Sequence, residues 1–277
     1  MISKNTLLAA VVGGVMVMGV SSASGASLLD DQFDDGVLGT NTTGVGTGFT
    51  VFQGFGSGGT AVESGGVVDL ASNGTNIITH IQSNDTFNPT DLTLTWVINS
   101  SAGSTGFNGV GVGWIKPGET PFITLPGVEL DLRADRLTFD LSDGGSGQTR
   151  QVGLAIGSVA DPNATYNWDF NSTIVAEITL SATGWALNVT GTGVSVMQSG
   201  LYTDLGVGGL EYGATADARV TLADVLAGAD SDLSTFASVV REPGGAEIES
   251  VTLVPEPTSL ALLSLGGLLV ASRRRRR

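Results

Sequence analysis

The chain is predicted to fold as an all-β protein, a two-sheet antiparallel sandwich of jelly-roll type, and three observations predict it. Short stretches alternate apolar with polar residues, glycine-rich turns separate them (41 of 277 residues are Gly), and helical periodicity is weak and local. Alternation of period two sends one side chain into a core and the next into solvent, as a half-buried antiparallel strand requires.

Taken in order, Met1 to Lys4 carries one basic side chain, Leu7 to Val20 is an apolar run, and Ser21 to Ala26 are small residues. This reads as a secretory signal peptide over residues 1–26, helical in its apolar run, cut after Ala26 or Ala23 by signal peptidase. Residues 27–253 form one sandwich domain, long enough to bury a core without staples. Its clearest strands are Leu92 to Ile98, Val128 to Leu132, Leu137 to Leu141, Ile174 to Leu180 and Trp185 to Val189. Further strands are expected at Val67 to Leu70, Ile77 to Gln82, Val110 to Ile115, Gln151 to Ile156, Val194 to Met197 and Glu247 to Leu253, about a dozen in all. Short helices are expected at Leu222 to Leu226 and Leu233 to Val240, ending near Pro243-Gly244-Gly245. Glu247 to Leu253 is expected to pair beside Leu28 to Phe33, so that both ends of the domain emerge on one side.

Composition narrows the chemistry. The chain has no Cys, which excludes disulfides, thiol nucleophiles and Cys-based metal sites. Its one His, His80, excludes a His-cluster zinc site, and within Ile77-Ile78-Thr79-His80-Ile81 it reads as a strand residue rather than a member of a Ser-His-Asp triad. Between the two ends, 6 basic residues face 26 acidic ones, a formal charge of about −20. Such a body repels phosphate backbones, so no nucleic-acid partner is expected.

Four groups of residues are candidates for a site. In the hairpin Val128 to Leu141, facing Leu132 with Leu137 sets Asp131 opposite Thr138 and Glu129 opposite Asp140 on the polar face. Carboxylates about 5 Å apart across a ladder, or about 7 Å apart at i, i+2, fall in the range of glycosidase acid pairs; the alternatives are a glycan or cation contact and, ahead of both, a solvated polar strand face. Asp30, Asp31, Asp34 and Asp35 are the densest acidic cluster and read first as a solvated N-terminal strand; the other reading is a Ca2+ site supplied with several oxygens, although no Asp-x-Asp-x-Asp-Gly loop is present. No other metal or cofactor is expected. Of Trp96, Trp114, Trp168 and Trp185, the one expected to be exposed for sugar stacking is Trp168, in a loop-like stretch with Tyr166, Asp169 and Asn171. The glycine-rich pieces at 54–59 and 106–113 lack a P-loop Lys and a Rossmann context, and read as turns.

The C-terminal stretch, residues 254–277, has three parts. Val254, Pro255, Glu256 and Pro257 form an extended strip, because proline disfavours helix at itself and before it. Leu260 to Ala271 is apolar and, with its flanks, makes about 15 residues of helix, roughly 22 Å, short against a bilayer core of about 30 Å. Arg273, Arg274, Arg275, Arg276 and Arg277 follow, and belong on the cytoplasmic side. This order resembles the PEP-CTERM sorting signal of bacterial envelope and extracellular-matrix proteins. The resemblance implies transient inner-membrane anchoring by the short transmembrane helix, recognition by an exosortase-type processing enzyme, and delivery to the cell surface or to exopolysaccharide.

The opening Asp31-Gln32-Phe33-Asp34-Asp35 and the closing Ala246 to Leu253 strand before the Pro-Glu-Pro motif resemble concanavalin-A-like lectin/glucanase domains. Glucanases of that kind carry Glu-x-Asp-x-x-Glu on one strand. Here Glu129-Leu130-Asp131 is followed by Leu132, Arg133 and Ala134, so the third carboxylate is missing. The expectation is therefore a non-enzymatic exported protein with weak carbohydrate binding. A glycoside hydrolase or lyase on the same fold, or a purely structural exopolysaccharide-associated protein, are the alternatives.

Overall fold

The computed structural model describes residues 26–256, except 54–57, 73–77, 103–108, 121–124, 134–135, 145–149, 158–164, 170, 206–214, 217–219 and 241–243. The expected signal helix, Pro257, the C-terminal membrane helix and Arg273 to Arg277 lie outside the described residues. Among the described residues, no helix is long and apolar enough to cross a membrane.

The strands in chain order are β1 (Leu29–Asp31), β2 (Phe49–Gln53), β3 (Thr60–Ser64), β4 (Val67–Ser72), β5 (Ile78–Ser83) and β6 (Leu92–Ala102). Next come β7 (Gly109–Ile115), β8 (Pro126–Arg133), β9 (Arg136–Asp143), β10 (Arg150–Gly157), β11 (Thr165–Tyr166) and β12 (Ile174–Leu180). The last are β13 (Gly184–Gly191), β14 (Val194–Leu201), β15 (Thr215–Ala216), β16 (Ser234–Val240) and β17 (Gly244–Pro255), with the helix α1 (Leu222–Gly228) before β16. One sheet runs β11-β14-β13-β12-β6-β17-β4-β3, with β1 also on β17; the other runs β15-β10-β9-β8-β7-β16-β5-β2. We call them the front and back sheets. All pairings are antiparallel except the short β10–β15 contact.

The front sheet is half-buried, and its sequence says so. Strand β12 alternates buried with partly exposed residues along its whole length, because Ile174, Ala176, Ile178 and Leu180 face the back sheet. The two inner faces interlock through large side chains. Phe49 of the back sheet meets Trp96 of the front sheet edge-on at 5.9 Å, and Phe139 meets Trp185 at 5.1 Å. Helix α1 is short but built at its start, where the Thr221 amide donates to the Asp224 carboxylate at 2.8 Å. Its Leu222 and Val225 reach the same core.

The domain closes where the chain begins. Leu29 pairs with Leu253 and Asp31 with Val251, and the Leu28 amide donates to the Leu253 carbonyl at 2.8 Å. Both ends of the sandwich therefore leave from the same side, as the sequence suggests.

One expectation needs correction here. Leu233 to Val240 is not a helix: Ser234–Val240 is β16, paired to both β5 and β7. The strand is buried on both faces, so period-two alternation never develops, and the run of small and apolar residues mimics a helical stripe. The strands β2, β3, β11 and β15 also escape a pattern reading, two of them being only 2 residues long.

Candidate functional site

The back sheet carries its charged residues on the face turned away from the front sheet. Reading across the ladders, one row holds Gln82, Phe236, Gly113, Glu129 and Asp140; the next holds His80, Ser238, Gly111, Asp131 and Thr138. The expected hairpin register is therefore the observed one, Leu132 against Leu137, and Glu129, Asp131 and Asp140 share one face.

The strand between them explains where the carboxylates go. In β7, Gly109, Gly111 and Gly113 alternate with the inward-facing Val110, Val112 and Trp114, so its outer face has no side chains from Gly109 to Gly113. The neighbouring acids lean over it. A Cβ at Gly111 would lie 2.6 Å from Glu129 Oε1 and 2.8 Å from Ser238 Oγ, and one at Gly109 would lie 2.7 Å from Asp131 Oδ1. Glycine here makes a groove, and carboxylates fill it.

The members of this face differ in state. Arg133 Nε donates to Asp131 Oδ2 at 2.7 Å; Arg133 is 3% exposed and Asp131 16%, so that acid is paired with a buried guanidinium. Asp140, Thr138 and Ser238 are buried, while Glu129 remains partly open to solvent.

His80 stands directly opposite Ser238 but does not form a triad with it. Ser238 Oγ donates to the Gly111 carbonyl at 3.4 Å, and neither imidazole nitrogen of His80 bonds to it. The ring is fully buried and stacked on Phe52, centroids 5.0 Å apart and planes 9° from parallel. Beside it, Gln82 clamps the turn after β7, donating to the Lys116 carbonyl and accepting from the Gly118 amide, each at 3.1 Å.

Burial pulls the His80 pKa from 6.5 down to about 4, against a slight opposing pull from the Glu119 backbone. The unfolded chain takes this proton near pH 6.5 and the folded one only near pH 4. Stability contributed by neutral His80 is thus complete above pH 6.5 and lost as pH falls toward 4. The loss amounts to roughly 3 kcal/mol at about 1.4 kcal/mol per pKa unit. In urea titrations between these two pH values, His80→Leu is expected to flatten the wild-type decline by that order; parallel curves would disprove it.

Trp168 is not the exposed aromatic expected. It is 4% exposed, and its Nε1 donates to the Ser172 carbonyl at 3.0 Å, so the indole packs into the core with its polar atom satisfied by its own loop. Trp96, Trp114 and Trp185 are buried as well.

Sequence reasoning missed two features. One is a cleft of about 440 Å³ at the turn end of the front sheet, lined among others by Thr179, Ser181, Trp185, Asp204 and Glu256. Glu256 belongs to the sorting motif, its amide donates to the Asp91 carbonyl at 2.9 Å, and burial, then the Asp91 charge, push its carboxyl pKa up. Val254 and Pro255 are the last residues of β17, paired with Thr93 and Leu92. The other is Glu63, which the fold carries beside the N-terminal acids. Its position in sequence, 28 residues or more after them, gives no sign of this.

Residues 253–277 match the family model of the PEP-CTERM protein-sorting motif. No curated protein matches the sequence. The legume lectin-like domain from Entamoeba histolytica is similar in fold at 8% identity, with 74% of this chain and 88% of that one covered and a TM-score of 0.48. A structure described with the endo-acting O-glycanases that members of the human gut microbiota express to initiate mucin breakdown has 11% identity, coverage of 83% and 99%, and a TM-score of 0.49. The exoplasmic/lumenal domain of VIP36, in a Ca2+/Man-bound form, has 9% identity, coverage of 75% and 82%, and a TM-score of 0.46. Likeness at this level carries nothing about ligand or reaction. This chain is a two-sheet β-sandwich that ends in a PEP-CTERM sorting motif, and the first residues of that motif are the end of its central strand.

Proposed function

We propose that this protein is exported, held briefly at the inner membrane by its C-terminus, processed by an exosortase-type enzyme, and delivered to the cell surface or extracellular matrix. There its sandwich binds polysaccharide weakly on the outer face of the back sheet. The sorting motif carries the first part of this reading. The groove over Gly109 and Gly111, where Glu129 and Asp131 gather beside hydroxyls, carries the second. Partly exposed carboxylates accept hydrogen bonds from sugar hydroxyls, and calcium is a fitting accessory to such contacts.

Binding is favoured over hydrolysis because Asp131 is committed to Arg133 and Asp140 is buried. The cross-strand pair Glu129 and Asp140 is what supports the hydrolase alternative. A glycan array with and without calcium, followed by titration of the best ligand, tests this. Glu129→Gln is expected to weaken binding about tenfold or more, the scale of one charge-assisted hydrogen bond. Cleavage of the glycan that Glu129→Gln abolishes would replace the reading with the hydrolase one, and absence of any glycan binding would leave a structural matrix protein. Recovery of intact Arg277 from surface material by mass spectrometry would overturn the processing step.

A further inference from the structure

We propose that the N-terminal acidic turn is a calcium site with Asp31 and Glu63 as its carboxylate ligands, independent of any glycan contact on the back sheet. The two residues come from different strands. Strands β1 and β4 lie end to end along one side of β17, and β3, which holds Glu63, pairs outside β4. Asp31 is 3% exposed and Glu63 7%.

One oxygen of each side chain is satisfied. Asp31 Oδ1 accepts the Phe33 amide at 2.9 Å, and Glu63 Oε1 accepts the Gly36 amide at 2.7 Å. The other oxygens, Asp31 Oδ2 and Glu63 Oε2, are enclosed and accept no hydrogen bond. A buried carboxylate oxygen is costly unless a proton or a cation meets it.

The surroundings deepen that demand. Asp35 and Asp31 both add their charge at Glu63, and Asp35, Asp34 and Asp30 add theirs at Asp31. Among the described residues, no Lys or Arg forms an ion pair with any of the five. Asp35 is itself occupied, accepting from the Val37 and Thr42 amides and the Thr40 and Thr42 hydroxyls. Its carboxylate also lies within hydrogen-bond reach of the Glu63 carboxyl, a contact of two acids that only a proton or a cation can bridge.

The donor set selects the ion. All donors are oxygen, with neither His nor Cys in the turn, which suits a hard cation. No three carboxylates meet at one point among the described residues, so carbonyls of an irregular turn and water complete the shell. Calcium tolerates such a mixed, irregular shell, whereas magnesium demands near-octahedral ligands and keeps its own water.

The test is thermal melting of the full chain in detergent, in chelator, in about 1 mM magnesium and in about 1 mM calcium. Calcium at roughly 100 times Kd is expected to raise Tm by about 5–10 °C, with magnesium doing less and calorimetry giving one ion per chain. Glu63→Gln is expected to lose the shift, yet to melt above the wild type in chelator, because it removes one of several crowded negative charges. Asp232→Asn, an exposed acid elsewhere, keeps the shift. A wild type with no calcium-dependent shift and no heat of binding overturns the proposal in favour of a shared proton. A shift retained in full by Glu63→Gln overturns it as well.

Discussion

Gly113→Ala is expected to abolish the folded protein, read as loss of the cooperative urea transition by circular dichroism. Gly113 sits mid-strand in β7 with φ of +151°, and a Cβ there would lie 2.1 Å from the Val128 carbonyl oxygen and 3.1 Å from its carbon. The atoms it strikes are main chain of the neighbouring strand. No rotamer change relieves that, and separating β7 from β8 opens the centre of the back sheet, which places the cost above about 4 kcal/mol. Gly111→Ala is the contrast, because its nearest atoms are side-chain ends, Glu129 Oε1 and Ser238 Oγ. It is expected to fold and to displace Glu129, so it damages the face without destroying the sheet. Similar stability of the two variants would refute the account of β7.

Trp96→Ala comes next in size, with an expected loss of about 3–5 kcal/mol, the usual range for a fully buried indole. Trp96 is 0% exposed on β6, pairs with Ala176 and Val251, and meets Phe49 across the sheets. Its Nε1 is buried without a hydrogen-bond partner. Trp96→Phe therefore removes volume but also an unsatisfied donor, and is expected to cost much less than the alanine variant. Equal losses in the two variants, measured as midpoint shifts in urea, would show that ring packing is not what Trp96 supplies.

The accuracy of the sequence reading follows solvent exposure. In the front sheet one face is wet, so Ile174 to Leu180 and Trp185 to Val189 alternate and announce both strand and face. The hairpin register of β8 and β9 is legible because polar residues alternate with apolar ones along both strands, although β9 is enclosed on both faces, and it placed Glu129 opposite Asp140 correctly. Strands β5, β7 and β16 are buried on both sides. There polarity no longer reports burial: His80, Gln82, Thr235 and Ser238 are all enclosed. Strand β16 was consequently legible only as a short apolar run, which fits a helix equally well. Trp168 fails for another reason. A loop tryptophan looks exposed until the Ser172 carbonyl, four residues on, is seen to satisfy its indole N–H. The acidic turn was legible as composition, but Glu63 enters it through strand order, which no local pattern encodes.

Strand β17 bears on how the protein resists mechanical load. It is flanked along one edge by β6 from Gly245 to Pro255, and along the other by β4 and then β1. A pull applied at the sorting tail therefore acts along the strand axis, in shear, and strains two ladders of hydrogen bonds together. A strand at the sheet's edge, pulled sideways, would yield them one at a time. Whatever holds this protein by its C-terminus grips it through a strand that is hydrogen-bonded on both edges.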